Sequence, residues 1–142
     1  MADYFTNFSF TVPLANPGQQ TLALEWFRQM AAIQRGEDIP PEFPVALLNN
    51  ADDCVFEADP DPQSSGLWLH SDCGGVDAVC DYVQYVLRKF NPSGVITFEW
   101  SYDCNQPRTD AYGGGAAHIT ADDVKSITTS YWLREQTQVQ PA

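Results

Sequence analysis

Five side chains in this sequence could bind a soft or borderline metal: His70, Cys73, Cys80, Cys104 and His118. The spacing His70-x-x-Cys73 is short enough for joint ligation. However, the chain has no C-x-x-C pair and no second His/Cys pair at zinc-finger spacing. Neither a metal nor any other cofactor is expected. Cys73 also precedes a helix, whose N-terminal end lowers a thiol pKa, and His70 nearby could act as its base. Asp72 opposes thiolate formation, and no third orienting group or oxyanion donor is recognisable, so no catalytic residue is assigned. Cys80 on an apolar helical stripe and Cys54 inside a strand read as small hydrophobes.

A second constellation is Tyr112-Gly113-Gly114-Gly115-Ala116-Ala117. Consecutive glycines allow positive φ or close backbone approach, and a glycine loop can cradle an anion. No Lys-Ser or Lys-Thr follows and no helix begins there, both of which a phosphate loop requires. A bulged turn opening a strand is the competing reading. With Arg108, Asp110 and Tyr112 on its lip and His118 just beyond, this loop is the candidate site for a small ligand or an enzymatic reaction.

Charge is the third signal. Residues 36–87 contain Glu37, Asp38, Glu42, Asp52, Asp53, Glu57, Asp59, Asp61, Asp72, Asp77 and Asp81 but no Lys or Arg. Such asymmetry gives one side of the molecule a strong negative potential. Either that side docks a cationic surface, through Asp52, Asp53, Glu57, Asp59, Asp61, Asp72, Asp77 and Asp81, or it is a solvated face that maintains solubility.

The elements that position these residues are organised around stretch 73–104. Val76, Val79, Cys80, Val83, Val86, Leu87 and Phe90 recur at helical spacing, with Asp77 in the first turn and Arg88 and Lys89 in the last. Asn91-Pro92 stops the helix. Ile96, Phe98, Trp100 and Tyr102 then alternate with polar residues as a half-buried strand over 94–103. Upstream, residues 4–12 alternate as a strand. Residues 19–35 set Leu22, Trp26, Phe27, Met30 and Ile33 on one helical stripe. The proline-rich stretch 36–50 is an irregular connection, and 53–58 and 66–71 form a hairpin. Residues 116–120 make a fifth strand beside the fourth, 124–133 a short helical segment, and about 136–142 a frayed tail. The order strand, helix, strand, strand, helix, strand is the ferredoxin-like split βαββαβ pattern. It is an α+β sandwich with two helices on one face of an antiparallel sheet, here with an added C-terminal strand. Leu67 and Leu69 would face the helices. Trp68 and His70 would share the other face with Asn7, Ser9, Thr11, Thr97 and Glu99. There Trp68 could make a homodimer contact, unless Tyr131, Trp132 and Leu133 fold across it.

At 142 residues, with 44% hydrophobic residues and a formal net charge of −12, the chain matches one folded domain that repels nucleic acid and anionic membrane. No apolar run reaches membrane-span length, and Met1–Asn7 lacks the regions of a signal peptide, which sets the expectation of a cytoplasmic protein. The stretch W-S-Y-D-C-N-Q-P-R-T-D-A-Y-G-G-G-A-A-H-I-T-A-D-D-V (100–124) resembles one in small uncharacterised bacterial and phage- or plasmid-borne proteins. That resemblance implies a prokaryotic, mobile-element origin and supplies no site residues. The leading expectation is a non-enzymatic module that binds a basic surface, as an inhibitor or decoy of a nucleic-acid-handling or defence complex. The alternative is a small-ligand domain or enzyme using the glycine loop.

Overall fold

A computed structural model describes residues 2–139. Strand β1 (Tyr4–Val12) leads into helix α1 (Pro17–Gln34), whose start is well specified. The Asn16 side chain accepts from the Gln19 N–H at 2.9 Å, and Pro17 occupies the first turn, where its missing N–H does no harm. Gly36, at φ +95°, ends the helix in a backbone region that other residues avoid. The stripe is rotated from the expected one: Ala23, Leu24, Phe27 and Met30 are buried, whereas Leu22 is exposed. Trp26 stays half-buried, stacked on Phe90 at 5.4 Å between ring centres.

The hairpin β2 (Glu57–Pro60) and β3 (Leu67–Ser71) starts later than its sequence pattern suggests. Ala51–Asp53 forms a 3₁₀ turn instead of opening the strand. Helix α2 (Val76–Phe90) and β4 (Ile96–Cys104) follow as expected, and α2 buries Val79, Cys80, Val83, Val86 and Leu87. Next come β5 (Gly113–Ile119), β6 (Val124–Thr128) and α3 (Thr129–Val139).

Two sequence expectations are corrected here. Residues 124–128 are a strand, not part of a helix, because Val124, Ile127 and Thr128 are β-branched and pair with β5 from Gly115↔Thr128 to Ile119↔Val124. Thr120 shapes the turn between them, its hydroxyl accepting from the N–H groups of Asp122 and Asp123. The tail expected to fray from 136 is helical through Val139, and residues 140–142 lie outside the described part.

The result is an α+β structure with a six-stranded sheet in the order β2-β3-β1-β4-β5-β6, every neighbouring pair antiparallel. Residues opposite one another in the registers share a face, so Phe10, Leu69, Phe98 and Ala117 point into the core. Phe10 and Phe98 stack at 4.5 Å. On that face α1 and α2 are joined by Tyr82, which is fully buried and donates its hydroxyl to the Ala23 carbonyl at 2.6 Å. Burial pushes its phenol pKa upward, so it stays a donor. Tyr82→Phe keeps the ring and removes the bond, and is expected to lower unfolding free energy by about 1 kcal/mol in urea titration without changing the transition slope.

Candidate functional site

The acidic residues gather where β2, the 3₁₀ turn Ala51–Asp53 and the start of α2 meet. Helix α2 begins at Gly75, at φ +88°, which has no side chain to cap the helix. A Cβ there would come within 2.9 Å of the Asp53 carbonyl oxygen, so glycine allows the turn to sit on the helix end. Asp53 then supplies the missing cap from outside the helix, its carboxylate accepting the Ala78 N–H. Burial, and then the charges of Asp77 and Asp52, raise its pKa above the usual aspartate value against the lowering effect of that hydrogen bond. Asp81 accepts from the Asn50 side chain at 2.7 Å. Beneath these groups, burial chiefly pushes the thiols of Cys54 and Cys80 up to about 12, helped by Glu57 and Asp53 and by Asp77 and Asp81 respectively.

Along the sheet edge, Glu57 and Asp59 point to the face opposite the helices, and Asp59 pairs with His70 at 2.8 Å. Asp72 is exposed and accepts the Cys73 thiol hydrogen at 3.0 Å. Asp61 sits in the β2–β3 turn, accepting from the Gln63 N–H and the Ser64 hydroxyl. Among the described residues no Lys or Arg forms an ion pair with any of these carboxylates. Arg28 and Arg35 border the flank from α1, but Glu25 and Glu37 hold them at 3.4 and 3.0 Å.

His70 and Cys73 do not form a nucleophile and base. The imidazole bonds to Asp59 and lies under Trp68 at 3.9 Å between ring centres. The Cys73 thiol pKa is raised, first by its hydrogen bond to Asp72, which works against a thiolate. Among the described residues no group of three His, Cys, Asp or Glu could hold a metal. Trp68 donates its indole N–H to the Ser9 hydroxyl at 2.9 Å. Tyr131, Trp132 and Leu133 do not fold across it; they stand exposed on α3 beside β5 and β6.

The glycine motif is not a loop. Gly113, Gly114 and Gly115 open β5, opposite Tyr102, Ser101 and Trp100. A Cβ on Gly115 would fall inside the Trp100 ring, and one on Gly114 would strike the Trp100 carbonyl oxygen. Gly115 therefore allows the indole to lie against the strand and Gly114 allows the close approach of the β4 backbone, tertiary requirements that nothing in the local sequence announces. Arg108, Asp110 and Tyr112 are exposed in the connection before β5. His118 lies five residues beyond Gly113 along the same strand, roughly 17 Å at extended rise. Instead of meeting that lip, His118 lies between Thr97 and Lys125 on the uncovered face. There it borders a shallow depression of about 740 Å³ with Ser9, Glu99 and Ile127. Lys125 and Ile127 reach this depression because residues 124–128 form a strand, a placement that a helical period for the segment does not give.

Among the described residues no helix is long and apolar enough to cross a membrane. No protein-family model, no curated protein and no solved structure matches the chain.

Two measurements check these assignments. Because the folded Asp53 pKa is raised, the native state holds that proton more tightly than the unfolded chain does. Its contribution to stability therefore falls as pH rises from the ordinary aspartate value through the raised one. Asp53→Asn keeps an acceptor for Ala78 and removes the charge facing Asp77. It is expected to raise the melting temperature at neutral pH and flatten that pH dependence, whereas Asp53→Ala loses about 1 kcal/mol. Gly115→Ala overpacks Trp100 and is expected to destabilise by about 1–3 kcal/mol. In a double-mutant cycle with Trp100→Leu, the penalty of the added methyl should fall only in part, because the Ile127 carbonyl oxygen would still lie 2.7 Å from the new Cβ.

Proposed function

We propose that this protein is a non-enzymatic, acidic interaction module of the cytoplasm that docks on a basic surface of a partner protein. The observation that carries the reading is the β2 flank, where carboxylates from three adjoining elements stand without a Lys or Arg partner among the described residues. Local hydrogen bonds occupy Asp53, Asp59, Asp61 and Asp81, which fixes the backbone there. Asp52, Glu57, Asp72 and Asp77 are exposed on that fixed frame. A field held in place before encounter steers a cationic partner and loses little on docking. The net charge of −12 disfavours direct contact with nucleic acid or anionic lipid. A partner that itself handles nucleic acid, inhibited or decoyed through its phosphate-binding groove, has the complementary chemistry.

The order β2-β3-β1-β4, with α1 and α2 as its two crossovers, supports reading the core as a ferredoxin-like split βαββαβ unit. The β5-β6-α3 segment extends its β4 edge. A prokaryotic, mobile-element origin is part of the same proposal.

The test is affinity capture from a bacterial lysate, followed by titration of the captured protein. Affinity should fall about tenfold or more between about 50 and 500 mM salt. A variant with Asp52, Asp72 and Asp77→Asn and Glu57→Gln should bind weakly while keeping its circular dichroism. Binding that ignores both salt and these changes would sink the proposal.

A further inference from the structure

The opposite end of the sheet has a different character. Every residue of α3 from Thr129 to Gln138 is exposed, although the helix carries Tyr131, Trp132 and Leu133 at 50%, 50% and 59% exposure. An eleven-residue helix is marginal in water unless an apolar face is packed. Its own chain contributes little: the Thr129 hydroxyl accepts the Gly114 N–H at 3.1 Å. An apolar cleft of about 520 Å³ lies between Trp132, Leu133 and the glycine end of β5. Beside it, β6 is the last strand of the sheet, with Ile127 exposed at 43%. Its outer backbone groups are therefore a template for another strand.

We propose that β6 and α3 form the contact between two copies of this chain, with the β6 strands pairing antiparallel about a two-fold axis. Charge selects this occupant. In a molecule of net charge −12, self-association requires a surface that is not acidic. From Val124 to Gln138 the charged residues are Lys125, Arg134 and Glu135. That balance is unattractive to a basic partner, and a helix with one Arg beside one Glu is poorly suited to a lipid surface. A two-fold axis at Ser126 sets Lys125 against Ile127 of the second copy and Val124 against Thr128. No like charges then face each other, and Asp122 and Asp123 of the two copies stay apart at the ends. Trp132 and Leu133 of α3, exposed beside that edge, supply the apolar surface for the contact. Trp68 is the weaker self-contact, since its indole N–H is committed to Ser9 and its ring to His70.

Sedimentation velocity of the full chain from about 1 to about 100 μM tests this. The expected result is a concentration-dependent dimer, converted to monomer by Trp132→Glu with Leu133→Glu and left intact by Trp68→Ala. Hydrogen exchange of the unaltered protein at both ends of that range supplies a readout that needs no variant. Dilution should strip protection from residues 124–139 and spare β2 and β3. A wild-type monomer throughout, a dimer abolished by Trp68→Ala, or protection of β6 that ignores dissociation would each overturn the proposal.

Discussion

The indole of Trp100 lies where a side chain on Gly115 would have to be, and much of the C-terminal half depends on that single exclusion. Trp100 is nearly buried, touches Phe98, and donates its N–H to the Tyr102 hydroxyl at 2.9 Å. It thus closes the core on the β5 side of β4. A large flat side chain can close that side only if the neighbouring strand has no Cβ at the contact. Three glycines weaken a strand, because each loses more backbone entropy than alanine would. Pairing with β4 along the whole of β5, and with β6 from Gly115 onward, compensates.

Much of this architecture was legible in the sequence, for reasons that differ from element to element. The unit formed by α2 and β4 could be read directly, since its apolar residues follow the helical period and then the strand period without interruption. The uncovered face was also readable, because alternation alone assigns Trp68 and His70 opposite to Leu67 and Leu69. What could not be read depends on contacts between distant residues. Gly113, Gly114 and Gly115 look like a loop until Trp100 is placed. The segment 124–128 has too few residues to establish a period. Asp53 reads as part of a strand, yet a helix with glycine at its cap position draws it into a turn. In the candidate site the surplus of charge was legible, but not the division of labour within it, in which some carboxylates build the local backbone and others face solvent.

The two edges of the sheet are managed differently. At one edge β2 spans only Glu57–Pro60 and contains two acidic residues and a proline, all of which discourage strand addition. Contact there is through side chains and charge. At the other edge β6 has neither proline nor acid and runs straight into a helix whose apolar residues lack cover. One flank is thus suited to long-range attraction that salt screens, and the other to short-range packing that salt leaves alone.

The four cysteines divide along the same inside–outside line, with Cys54 and Cys80 buried, Cys73 exposed and Cys104 between them. Burial and neighbouring carboxylates keep the two interior thiols protonated and inert. An alkylating reagent therefore reaches them only when the junction of α1, α2 and the 3₁₀ turn comes apart. Their labelling, set against that of Cys73, which is exposed but whose thiol pKa is also raised, makes the native chain an internal clock for its own opening.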